Sequence, residues 1–199
     1  MLKILFVIIS YLPIGIINLY AQDSTAVENI KLTDSEVGAF REQAITSVTD
    51  LSRYIKIIGE KNRELSNRKK AIELAIGLFS SEENIIQVSS LHGETQTFSI
   101  REYFTRLLNL PYYYVSITWF DIYLARDFIP GPNGKYFGAA TISQKFEGKF
   151  NKEMGPYLDV TKKKITLIIE KIKDLDGLKK EERWVLKLGD IMVEETQIK

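Results

Sequence analysis

Trp119 and Asp121 in PYYYVSITWFDIYLA (residues 111–125) and Tyr136 and Gln144 in YFGAATISQ (136–144) are the side chains of this 199-residue chain whose types and spacing could share a small site. If both stretches are strands, alternation puts Trp119 and Asp121 on one face of the first and Tyr136 and Gln144 on one face of the second. A carboxylate turned into an apolar pocket is desolvated, its pKa rises, and it can act as a base or accept a ligand's hydrogen bond. These four residues are therefore the candidate pocket. A second reading of Asp121 is structural: strands of roughly 5–6 residues are the norm, so a longer one reaches the sheet's end near Asp121, where the carboxylate is solvated.

Other chemistries lack their residues. His92 is the single histidine and sits in the turn-like SLHGE, and cysteine is absent, so no zinc ligand set is expected. No G-x-S-x-G occurs, and His92 has no evident acid partner for nucleophilic catalysis. GPNG (131–134) is too short and proline-bound to cradle a phosphate. No cofactor is expected. The absence of cysteine also excludes disulfides and a cysteine-borne lipid anchor. A formal net charge of +1 offers no basic face of the kind nucleic acid requires. The runs RKK (68–70) and KKK (162–164) are balanced by nearby acids and read as solvated faces. Asp190 reads as a structural hydrogen-bonding group more readily than as a catalyst.

The elements that must position the candidates follow an export signal. MLKILFVIISYLPIGIINLYA (1–21) carries one cation, Lys3, then an apolar run broken by Pro13 and Gly15, and ends on a small residue before the polar QDST. That is the order of a secretory signal peptide, and it predicts an exported protein in the periplasm or cell envelope of a Gram-negative bacterium. The alternative is a membrane anchor retained over residues 4–21. Residues 22–33 read as a flexible tether and 34–199 as a single domain.

Phe40, Ala44, Val48, Leu51, Ile55 and Ile58 recur at three- and four-residue spacings and predict a helix over 34–60. Ser66 is placed to cap a second helix, to about residue 79. A third, over 100–109, opens with Ser99 and Glu102 in capping-box positions and stops before Pro111. IIQVSS (85–90) and ETQTF (94–98) predict a hairpin, and long strands follow at 112–125, 136–149, 162–173 and 183–195. Three helices followed by strands with hairpin-length links make the class α+β, an antiparallel sheet with helices on one face. In the last strand Leu188 and Ile191 have opposite parity, which a bulge at Gly189–Asp190 reconciles. The odd positions of 112–125 form the better core face. That leaves Tyr112, Tyr114, Phe120 and Ile122 outward, a patch apolar enough to be a homodimer or protein-partner interface.

This order of elements, ending in WVLKLGDIMV, resembles the nuclear transport factor 2-like superfamily, which includes ketosteroid isomerase and SnoaL-type cyclases. The pieces AIELAIGLFS, YFTRLLNLPY, YFGAATISQKFEG and KITLIIEKI are similar to exported bacterial members of that group, and the resemblance covers about residues 34–195. It implies a strongly curved sheet wrapped into a cone with a pocket inside. The isomerases use a buried aspartate base with a tyrosine and a second acid, none of which can be matched here, so no catalytic role is carried over. The expected function is a non-catalytic binding or assembly module of the cell envelope, taking a protein partner or a small apolar ligand. The alternative is an isomerase- or cyclase-like enzyme with Asp121 as base.

Overall fold

The computed structural model describes residues 31–89, 94–151, 153, 155–173 and 182–198. The expected signal peptide, most of the tether and His92 lie outside the described residues. Lys31–Lys199 forms one compact unit.

The first helix, α1 (Asp34–Gly59), begins where Thr33 and Glu36 cap each other: Thr33 Oγ1 accepts from Glu36 N at 3.3 Å and the Glu36 carboxylate accepts from Thr33 N at 2.7 Å. Its buried stripe is Ala44, Val48, Leu51, Ile55 and Ile58, as the spacing predicts. Just before it, Leu32 is half-buried and its N–H donates to the Tyr136 hydroxyl at 3.0 Å, so the last residues of the expected tether are docked. The second helix, α2 (Leu65–Ile76), starts at Glu64 with no side-chain cap, and Ser66 lies inside its first turn instead of capping it.

A short hairpin follows, β1 (Ile85–Ser89) and β2 (Thr95–Ser99), and leads into α3 (Ile100–Leu108). Ser99 Oγ accepts from Glu102 N at 3.4 Å, while the Glu102 carboxylate pairs with Arg106 one turn on at 3.0 Å. Four long strands complete the chain: β3 (Tyr114–Pro130), β4 (Tyr136–Lys149), β5 (Tyr157–Lys173) and β6 (Glu182–Ile198). They form one six-stranded sheet in the order β2-β1-β6-β5-β4-β3. Every pairing is antiparallel except β1 with β6, which meet in parallel at Ile86 and Ile191. The inward faces of the sheet and the apolar stripes of the helices make a single core. This is the expected α+β architecture, helices packed on one face of a mostly antiparallel sheet.

Bulges curl the sheet and redirect side chains. Along β3, Val115, Ile117 and Trp119 are buried as alternation predicts. Then Asp121 adopts a left-handed backbone (φ 50°), and the register jumps from Phe120 opposite Ser143 to Tyr123 opposite Thr141. One extra residue on β3 reverses the parity. Ile122 and Leu124 now pack on the core, Phe128 is buried, and Tyr123 is 48% exposed. The expected core face therefore ends at Trp119. The predicted bulge at Gly189–Asp190 is present: Leu188 opposes Leu167 while Ile191 opposes Ile165. The Asp190 carboxylate fixes it structurally, accepting from Ile85 N at 3.0 Å and Asn84 Nδ2 at 3.1 Å.

The two basic runs depart from the sequence expectation at one residue each. Lys162 and Lys164 are exposed, but Lys163, between them on a strand, points inward and is 1% exposed. Arg68 is likewise buried, and its guanidinium donates to the Ile58 carbonyl at 2.8 Å and the Leu108 carbonyl at 2.9 Å, closing the ends of α1 and α3.

Candidate functional site

Where the β1–β2 hairpin and α3 lie over the ends of β3, β4 and β5, they enclose a cavity of about 290 Å³. Phe98, Tyr103, Leu107, Leu110, Ile117 and Phe146 give it apolar walls. Tyr112, Gln144, Tyr157 and Asp159 bring polar groups to it, with Ser89 and Gln96 from the hairpin and Arg106 from α3.

The aromatic wall is built by close packing. The Phe146 ring meets Tyr112 edge-on with centroids 5.7 Å apart and meets Tyr157 at 5.9 Å. Tyr112 also packs on Phe150 at 4.2 Å. Gly148 makes this possible, because a Cβ there would come within 2.9 Å of both the Tyr112 and Phe146 rings.

Asp159 is the buried carboxyl of the site, 5% exposed on the inward face of β5. Thr161 Oγ1 donates to its Oδ1 at 3.3 Å, and the Thr161 hydroxyl is bonded in turn to Ser89 Oγ at 3.1 Å. Burial raises the Asp159 pKa above the ordinary carboxyl value, opposed by the Tyr157 and Thr161 hydroxyls and by the Lys163 ammonium. The Tyr157 hydroxyl is close enough to exert that pull, yet it is enclosed and makes no hydrogen bond of standard geometry to a described residue. Burial, and then the neighbouring carboxyl, push the Tyr157 phenol up, and the Tyr112 phenol rises for the same two reasons. Both phenols are thus protonated donors near neutral pH, facing one carboxyl that can accept. Among the described residues no cluster of three or more His, Asp or Glu side chains is arranged to hold a metal ion, and no helix is long and apolar enough to cross a membrane.

Of the four residues expected in the pocket, Gln144 lines the cavity, and Trp119 opposes it on the neighbouring strand, donating from Nε1 to Gln144 Oε1 at 3.1 Å. Tyr136 is buried at the other end of β4, its hydroxyl taken by Leu32 and its ring edge-on to Trp184 at 5.7 Å. Asp121 is exposed within the β3 bulge, so the structure does not bring it to the cavity. Of the interface candidates, Tyr114 and Phe120 are 42% and 40% exposed. Tyr112 instead precedes the strand and forms cavity wall, and Ile122 is turned onto the core by the bulge.

Tyr157 and Asp159 are the residues that sequence reasoning missed. A signal existed: Ile165, Leu167 and Ile169 define the inward parity of β5, and stepping back by twos gives Lys163, Thr161, Asp159 and Tyr157. Their polarity hid the continuation of the strand.

No family model matches the chain, and no curated protein matches it. Among solved structures the fold is similar to that of a provisionally assigned scytalone dehydratase from Novosphingobium aromaticivorans. The TM-score is 0.43 and the identity 12%, over 82% of this chain and 90% of that one.

Proposed function

We propose that the cavity takes up a small, largely apolar carbonyl compound, and that Asp159 and Tyr157 transfer a proton on it. The observation that carries this reading is the Tyr157 hydroxyl, enclosed beside the buried Asp159 carboxyl at the wall of a ligand-sized cavity. With no hydrogen bond of standard geometry to a described residue, this hydroxyl is available to donate to a ligand oxygen.

The chemistry follows from the donor and acceptor roles. Asp159 removes a proton from the carbon next to a carbonyl, and the C–H electron pair moves into the enolate, whose charge gathers on oxygen. The Tyr157 O–H is the donor available to that oxygen. On a β,γ-unsaturated ketone the proton returns from Asp159 to the γ-carbon and completes an isomerisation, whereas on a β-hydroxy ketone the C–O bond breaks, the leaving hydroxyl takes the Asp159 proton, and water departs. The apolar walls lower the local dielectric and strengthen both interactions.

A non-catalytic carrier would use the same groups as hydrogen-bonding partners only. A cyclic aryl ketone, 1-tetralone, separates the two, because binding is read by saturation-transfer NMR and proton abstraction by deuterium uptake at its C2 position in D2O. Accelerated uptake that Asp159→Asn abolishes, with binding kept, supports the enzyme. Binding without uptake supports the carrier. A protein that binds neither 1-tetralone nor a panel of small phenols and ketones sinks the cavity reading. Export rests on residues 1–21 alone, and an intact Met1 on the envelope-fraction protein, read by mass spectrometry, would count against cleavage.

A further inference from the structure

The inward row of β5 reads Asp159, Thr161, Lys163 and then Ile165, Leu167, Ile169, so three polar groups precede three aliphatic ones on one buried face. Lys163 is 1% exposed and its ammonium donates to the Gln87 carbonyl of β1 at 3.0 Å. Its neighbours in register are Ile142 on β4 and Val193 on β6, neither of which carries charge. The charged group that acts on it is the Asp159 carboxyl, one place along the row beyond Thr161. A buried ammonium with a backbone carbonyl as its partner is expensive to retain when methionine or leucine would fill the space.

We propose that Lys163 is a positioning residue for Asp159: its buried ammonium, fixed on the Gln87 carbonyl, keeps the cavity carboxyl in the ionised form that accepts a proton. The electrostatics work in both directions. Burial lowers the Lys163 pKa to about 8 and the Asp159 charge opposes that fall, while the Lys163 charge is one of the influences drawing the Asp159 pKa back down. At pH 7 the lysine is still mostly protonated, so the field is present where the carboxyl must be ionised. The hydroxyls of Thr161 and Ser89 lie alongside and carry no charge themselves.

The significance for catalysis rests on the proton-transfer reading above, but the charge coupling does not, and the test separates them. The Asp159 side-chain carboxyl is titrated by carbon-detected NMR in the parent, in Lys163→Gln and in Lys163→Arg. Glutamine can still donate to the Gln87 carbonyl but has no charge, and arginine keeps the charge. The expected result is an upward shift of the Asp159 midpoint in Lys163→Gln and a return toward the parent in Lys163→Arg. An unmoved midpoint in a folded Lys163→Gln overturns the proposal and leaves Lys163 as a tether for β1. If the glutamine variant does not fold, Lys163→Met gives the same readout without the charge. The acid limb of 1-tetralone exchange should shift upward together with the Asp159 midpoint. A shifted midpoint without any exchange in the parent sinks the proton-transfer reading and leaves the coupling standing.

Discussion

Lys163 of β5 donates to the Gln87 carbonyl of β1 at 3.0 Å although β6 lies between those strands in the sheet. The Gln87 side chain binds the strand between them, its Oε1 accepting from Val193 N of β6 at 3.1 Å. With the Ser89–Thr161 hydroxyl bond, these contacts hold the hairpin wall of the cavity through side chains, since the β1–β6 register is a single residue pair. That mode of attachment ties the wall to titration.

Lys163 should make stability rise with pH above about 8. Its pKa is near 8 in the folded protein and 10.5 by reference, so between those values the unfolded chain binds the extra proton and alkali favours folding. The full contribution is on the order of 3 kcal/mol. Asp159 has the opposite sign: its raised pKa favours folding at low pH, an advantage lost as pH rises through the folded value. Urea unfolding at pH 7 and pH 10 should show parent and Lys163→Met converging toward alkaline pH, with the variant equal or more stable at pH 7. A parent-to-variant difference that is the same at both pH values would refute this.

Arg68→Met should cost about 2–3 kcal/mol, because it leaves the buried Ile58 carbonyl without the guanidinium that caps the end of α1. The Leu108 carbonyl keeps Lys61 as a second donor at 3.2 Å, which limits the loss there. Lys69→Met and Lys70→Met, on exposed positions of the same run, should stay within about 0.5 kcal/mol of the parent. Denaturant midpoints compare the three directly.

Arg68 and Lys163 also show where the sequence stops being legible. The stripe of α1 and the Gly189–Asp190 bulge were readable because apolar side chains report their own burial through spacing. A buried lysine between two exposed ones reports nothing, since the parity that places it is set by aliphatic residues further along β5. The site was half legible for the same reason. Trp119 and Gln144 sit on opposed strands before the β3 bulge, and Asp121 lies within it, where one inserted residue turns Ile122 and Leu124 onto the core and two further register shifts follow. Tyr157 and Asp159 follow a segment, GKFNKEMGP, whose composition gives no hint that a strand resumes at Tyr157.

Gly148→Ala should deform the aromatic wall without unfolding the protein. The new Cβ would lie within 2.9 Å of the Tyr112 and Phe146 rings, so both must move. Overpacking of this kind costs about 1–3 kcal/mol. Binding of 1-tetralone should weaken in step. Unchanged binding with unchanged stability would mean that Tyr112 is not held as described.

Substitutions at Asp121 should alter the backbone and leave the chemistry alone. Asp121 sits at φ 50° on an edge strand with its side chain exposed. A left-handed backbone costs an ordinary residue roughly 1–2 kcal/mol and costs aspartate or asparagine less. Asp121→Asn should therefore be nearly neutral. Asp121→Gly gains from relieved strain and loses about as much to the freer unfolded chain. Asp121→Val, β-branched and without a side chain able to bond locally, should lose about 1–2 kcal/mol. None should change deuterium exchange into 1-tetralone per folded molecule, because the residue lies outside the cavity. Asp159→Asn should remove that exchange while barely lowering stability at neutral pH, since burial already disfavours the charge it deletes. The decisive comparison is therefore between the two aspartates in one exchange assay. Exchange abolished by Asp121→Asn and untouched by Asp159→Asn would move the base to the edge strand and leave the buried carboxyl with a structural part only.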